Sequence, residues 1–189
     1  MKVERLKFLE HPDYIKLLKV AKASSSRNYI LLLLMGELGL RVSEATNLRI
    51  ADITDDGNYM TFRIGTLKQR GGKRPVQEVI LGKLPSATVR EYLKKHDYKP
   101  TDWIFRTYVG HLTRSVVFRF FKEYVKMAGL SGEYSPHSLR HYQGHRVFEA
   151  TGSVDEVAKR LRHSKAATAY IYSHLSLKKQ KEIADGRKQ

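Results

Sequence analysis

Residues 29–38, YILLLLMGEL, constrain the fold more than any other stretch. As a helix the segment is apolar almost all round, and such a helix has to be buried. Its apolar run, Ile30 to Met35, is six residues long. That is far short of the roughly 20 a membrane span needs, so it is read as the inside of a folded domain. Gly39 follows as a C-terminal cap. Arg41–Leu48 then reads as a new helix, with Arg41 and Glu44 at i, i+3 on its first turns.

Around this segment the hydrophobic period is mostly helical. Residues 13–22 place Tyr14, Leu17, Leu18 and Ala21 on one stripe with lysines opposite, and a polar break, Ser24 to Arg27, separates them from the apolar helix. Asp55-Asp56-Gly57-Asn58 is a turn signal. Beyond it Met60, Phe62 and Ile64 alternate with Thr61 and Arg63, the period of a half-buried strand, and Pro75–Leu81 reads as a second strand. The hairpin loop between them carries Lys68, Arg70, Lys73 and Arg74 and no acid. Ser86–Lys95 reads as a helix and Trp103-Ile104-Phe105 as a short apolar segment. Thr113 caps a long amphipathic helix with a core stripe of Val116, Val117, Phe120, Phe121, Tyr124 and Met127, while Arg119, Lys122 and Lys126 recur on another face. Gly129 stops it. Ser135 and Pro136 suit the N-cap and N1 of a helix ended by Gly152, and Ser153 with Glu156 forms a capping box for the next one. The expected class is α+β: mainly α-helical with a small antiparallel sheet, in one domain, with a basic tail over 175–189 that is either helical or disordered. At 189 residues such a domain buries about 70% of its unfolded surface.

Charge narrows the function. Lysine and arginine number 35 against 19 aspartate and glutamate, a formal net charge of +16, and self-repulsion on that scale points to a polyanionic partner. The absence of cysteine removes disulfides, thiolate metal sites and a cysteine nucleophile, and suits a reducing compartment. The start, MKVERLKFLE, is charged where a secretory signal would be apolar, so a cytoplasmic location is expected.

Residues 135–174 hold the chemistry. His137 and Arg140 are three residues apart on one helix face and can reach a single anionic group. His163 follows in LRHS, and Tyr172 lies nine positions later (172 − 163). Breaking a DNA strand without water or metal needs a nucleophile at phosphorus, fixed cations on the non-bridging oxygens and a proton for the departing sugar oxygen. Arginine binds phosphate oxygens bidentately and stays protonated. A tyrosine phenol can attack once a base or dense positive charge favours the phenolate. A lysine can deliver the proton. Taken singly, each motif is also what a surface pair, an intrahelical salt bridge or a packed tyrosine looks like; their joint order carries the reading.

GLRVSE at 39–44, HSLRH at 137–141 and LRHSKAATAYIYSH at 161–174 resemble the signature boxes of the tyrosine recombinase (phage integrase) family, over roughly Phe8–His174 and in the family's order. The resemblance implies that Arg41 is the first catalytic arginine, with Glu44 supporting it, and that Lys68 is the catalytic lysine. It implies His137 and Arg140 as the His-x-x-Arg pair, His163 as the second histidine and Tyr172 as the nucleophile. It further implies the family's catalytic fold, a 3′-phosphotyrosyl intermediate on double-stranded DNA, no cofactor and no metal. Action in a synaptic tetramer is implied, with a monomer in the absence of DNA. Arg70, Lys73, Arg74, Arg119, Lys122, Lys126 and Arg162 are the expected DNA contacts.

The chain departs from the pattern in places. Arg162 stands where the family usually has glycine, which adds charge and perturbs the local turn. Thr168-Ala169 replaces a threonine pair, and an N-terminal core-binding domain is expected to be absent. Tyr170 rivals Tyr172, and Lys73 rivals Lys68. Three functions stay open: a site-specific recombinase or integrase catalytic domain, a type IB topoisomerase-like nicking and closing activity, and a non-catalytic basic DNA-binding module.

Overall fold

In the computed structural model, which describes residues 9–65 and 76–162, two antiparallel-connected helices open the chain. They are α1 (His11–Ser24) and α2 (Ser26–Leu38). Ser25 caps α2 by accepting the Asn28 N–H, and Gly39 ends it in the left-handed region at φ 61°. As the sequence predicts, α2 is buried nearly all round: Ile30 through Met35 and Leu38 are inside. The stripe on α1, Tyr14, Leu17, Leu18 and Ala21, packs into the same core. The close approach of the two helices depends on Gly36, where an added Cβ would stand 2.5 Å from the Tyr14 ring.

A short helix, α3 (Val42–Thr46), and a 3-10 turn, Ile50–Asp52, lead to a three-stranded antiparallel sheet. Its strands are β1 (Ile53–Asp55), β2 (Met60–Gly65) and β3 (Val76–Leu81), in that order. β1 is an addition to the two strands expected. Its three residues pair Ile53 with Phe62 and Asp55 with Met60 across the Asp55–Asn58 turn, too short a run to show a period. On β2, Met60, Phe62 and Ile64 face the core while Arg63 is exposed. α4 (Lys83–Lys94) begins three residues before the expected start, because Ser86 is needed inside it: its buried hydroxyl accepts the Met60 N–H and donates to the Leu81 carbonyl.

A two-stranded hairpin, β4 (Arg106–Thr107) and β5 (Gly110–His111), precedes α5 (Arg114–Met127). Val117, Phe120, Phe121, Tyr124 and Val125 are its buried face. Met127, expected in that stripe, is 65% exposed. At about 100° per residue it lies roughly 90° from the centre of the buried set, and the half-buried Val116 is similarly offset. α6 (Pro136–Thr151) and α7 (Val154–Leu161) complete the described chain, with Ser153 accepting the Glu156 N–H and Gly152 left-handed at φ 66°. α2 packs against α1, α4 and α6, so α2 is the axis around which the rest is laid. The fold is the mainly helical α+β class expected, with small antiparallel sheets. Among the described residues no helix is long and apolar enough to cross a membrane.

Candidate active site

The C-terminal end of α2 gathers Arg41, Glu44, Arg140 and Arg162. With Gly39 left-handed, the chain turns sharply, and Arg41 becomes the N-cap of α3 (φ −70°, ψ 153°) rather than part of a longer 41–48 helix. That position frees the Arg41 N–H from helical bonding, and Glu44 at N3 accepts it at 2.8 Å through Oε2. The same carboxylate takes Arg41 Nη1 at 2.6 Å through Oε1. The expected Arg41–Glu44 partnership is present, by way of a cap rather than a helix face.

Two further arginines come to Glu44 from distant sequence. Arg140 sits one turn into α6 from His137, and its Nη1 is 3.8 Å from Glu44 Oε2. The Arg140 guanidinium also donates to the Gly39 carbonyl at 2.6 Å and to the Leu161 carbonyl. Arg162, the C-cap of α7, donates from Nη2 to Glu44 Oε2 at 3.0 Å. The side chains of Glu44 and Arg162 are wholly buried and that of Arg140 is 5% exposed, whereas that of Arg41 is 35% exposed. Burial works to raise the Glu44 pKa, but the Arg162 charge, the Arg41 N–H and the Arg140 charge outweigh it and hold the carboxyl below its ordinary value. One anion thus carries three cations, and the surplus positive charge faces the surface through Arg41.

His137 is solvent-exposed at the first turn of α6. Partial covering of its ring, then the charges of Arg140, Arg41 and Arg114, lower its pKa, so it is neutral at neutral pH. Arg114, at the first position of α5, was missed by the sequence reading. Its only mark there was its place after the Thr113 cap, and tertiary structure alone brings α5 near α6. Open clefts of about 660 Å³ and 370 Å³ share Ser43 and Asn47 of the α3 ridge; the first also holds His111 and Arg114, the second Glu44, Arg49 and Arg63.

Arg119, Lys122 and Lys126 are exposed on α5 as expected of surface cations. Arg162 is a correction. Expected among the DNA contacts, it is buried, because its guanidinium serves Glu44 and the carbonyls of Leu38, Gly39 and Arg160 at 3.0–3.2 Å. The perturbed turn is real: Arg162 is the non-glycine residue with positive φ (55°) among the described residues. A side chain there costs about 1–2 kcal/mol relative to glycine. Lys68, Arg70, Lys73, Arg74, His163 and Tyr172, with the rival Tyr170, lie outside the described residues. Among the described residues no three His, Cys, Asp or Glu side chains form a metal-binding group.

Comparison with known proteins locates this arrangement. The sequence profile of the phage integrase family matches residues 7–179. Tyrosine recombinase XerA of Pyrococcus furiosus is 29% identical over 185 residues, covering 95% of this chain and 61% of that protein. Tyrosine recombinase XerD of Lacticaseibacillus casei is 30% identical over 149 residues, covering 76% of this chain and 48% of that protein. The chain therefore spans about half to three fifths of these relatives. The crystal structure of XerA recombinase superposes with a TM-score of 0.79 at 22% identity, over 97% of this chain and 66% of that one. XerH site-specific recombinase in a post-cleavage complex with its difH substrate also scores 0.79, at 23% identity, over 94% of this chain and 52% of that one.

Proposed function

The chain belongs to the phage integrase family, and we propose that it is the catalytic part of a site-specific DNA recombinase that breaks and rejoins strands through a tyrosyl ester. The observation that supports this reading best is the convergence of Arg41 and Arg140 on Glu44 beside a neutral His137, α3 and α6 meeting at one patch of surplus positive charge. Arg41, partly exposed, meets a non-bridging phosphate oxygen; Arg140 beneath it adds the second charge. Preorganised charge of this kind acts on the oxygens that gain charge in the transition state.

In this reading the Tyr172 phenol oxygen attacks phosphorus and the bond to the 5′ oxygen breaks. His137, neutral and without a proton on one ring nitrogen, accepts the phenol proton. Lys68 protonates the departing 5′ oxygen, and His163 hydrogen-bonds the phosphate. One phosphoester replaces another, so the 3′-phosphotyrosyl ester keeps the energy needed for the 5′-hydroxyl of a partner strand to reverse the step. Arg119, Lys122 and Lys126, with Arg70, Lys73 and Arg74, neutralise backbone phosphates. Partner strands imply a synaptic tetramer assembled on DNA.

A suicide substrate, nicked so that the cleaved fragment diffuses away, tests the reading in EDTA. A covalent protein–DNA adduct on a denaturing gel is expected, and its loss in Tyr172→Phe. An adduct that survives in Tyr172→Phe and vanishes in Tyr170→Phe moves the nucleophile; no adduct from the unaltered chain overturns the reading.

A further inference from the structure

We infer that Arg162 is a positioning residue for this cleavage step, holding Glu44 so that Arg41 and Arg140 keep separate places; the inference rests on the function proposed above. The backbone is one sign of it. Arg162 is left-handed (φ 55°, ψ 47°), a conformation in which glycine is relaxed and arginine strained. Strain of this kind persists where surrounding interactions demand it.

The guanidinium is a second sign, independent of the first. Its side chain is wholly buried, with four oxygen acceptors: Glu44 Oε2, and the carbonyls of Leu38, Gly39 and Arg160. Its Nε is buried and has no hydrogen-bond partner among the described residues. A residue present only to fill space would not bring a charge and an unpaired N–H inside.

Geometry says what the charge does. Arg140 and Arg162 share one acceptor, the Gly39 carbonyl, and both charges face Glu44 Oε2. Arg162 holds the carboxylate oxygen at 3.0 Å, and Arg140 Nη1 stands off at 3.8 Å while staying 2.6 Å from Gly39 O. Without Arg162, a buried carboxylate oxygen loses a donor, and Arg140 is the cation placed to move onto it. That movement draws Arg140 off its carbonyl supports and away from where His137 and Arg41 define the phosphate position. The charged groups facing Glu44 are Arg41 from the start of α3, Arg140 and the titratable His137 from α6, and Arg162 from the end of α7.

The test measures single-turnover cleavage of the suicide substrate at saturating protein, with DNA binding and melting temperature, on the full chain. Arg162→Gly removes the guanidinium and relaxes the backbone. Its cleavage is expected to slow by at least about tenfold, roughly 1.4 kcal/mol of barrier, with DNA affinity unchanged. The acid limb of its pH–rate profile is expected to move up, because Glu44 has lost a counter-charge. In a Glu44→Gln background, Arg162→Gly is expected to add no further loss, since it acts through that carboxylate. Arg162→Lys, which keeps the charge, is expected to recover at least half of the loss on a logarithmic scale. Wild-type cleavage by Arg162→Gly, a loss that multiplies in the Glu44→Gln background, or no recovery by Arg162→Lys overturns the inference. Should Arg162→Gly not fold, Arg162→Lys decides: a rate deficit seen with Glu44 and absent with Glu44→Gln supports it, and an equal deficit in both overturns it. An unaltered chain that forms no adduct sinks the proposed function instead, so the two failures are distinct.

Discussion

Replacing Glu44 by glutamine removes one negative charge and almost no volume, which makes it the sharpest probe of the buried site. Both carboxylate oxygens accept: Oε1 from Arg41 Nη1 at 2.6 Å, Oε2 from the Arg41 N–H at 2.8 Å and from Arg162 Nη2 at 3.0 Å. Glutamine has one acceptor oxygen, so either orientation of its amide turns an NH₂ donor toward at least one N–H donor. Arg162, wholly buried, and Arg140, 5% exposed, both lose this carboxylate as a counter-charge. Removing one partner of a buried ion pair costs about 3–5 kcal/mol. For a domain of this size each kcal/mol moves the melting temperature by about 2–4 °C, so Glu44→Gln should lower it by roughly 6–20 °C. The sign of the pH response follows. The Glu44 carboxyl is held below its ordinary value in the folded state, so its contribution is present above the unfolded carboxylate range and is lost as pH falls through the lowered folded value. Calorimetric or urea unfolding at pH 7 and in acid reads both effects. A loss below about 1 kcal/mol at pH 7, the range of an exposed pair, would refute the idea that this carboxylate holds the three arginines.

Other outcomes are equally measurable. Gly36→Ala places a methyl 2.5 Å from the buried Tyr14 ring and should cost about 1–3 kcal/mol in urea unfolding as α1 and α2 move apart. His141 has its pKa lowered to about 4 by burial, then by the charges of His137 and Arg140. The unfolded state therefore binds the extra proton first: the His141 contribution should be full above about pH 6.5 and fall by about 3 kcal/mol as pH drops toward 4, so the acid slope should shrink by that amount in His141→Phe. Alanine at Arg119, Lys122 and Lys126 together should leave melting unchanged while flattening the plot of log DNA affinity against log salt by about 0.9 per lost phosphate contact. An unchanged slope would remove α5 from the DNA-facing surface.

The sequence alone determined what depends on local rules. The apolar run 30–35 had to be buried and Gly39 had to cap it, because an all-apolar helix and a left-handed turn leave few alternatives. The stripe on α1, the β2 alternation and the caps at Thr113 and Ser153 follow for the same reason, each being set by neighbours within one or two turns. The Arg41–Glu44 pair was legible from its spacing; its geometry as an N-cap was not, since that depends on where the chain leaves Gly39. Only the tertiary structure decided that Arg140 and Arg162 join that pair, that Arg114 lies near His137, and that Arg162 is an interior cation rather than a surface one. Spacing and charge count do not say which arginines meet. That is set by the packing of α6 and α7 on the end of α2, which makes one buried carboxylate the common counter-ion of charges far apart along the chain.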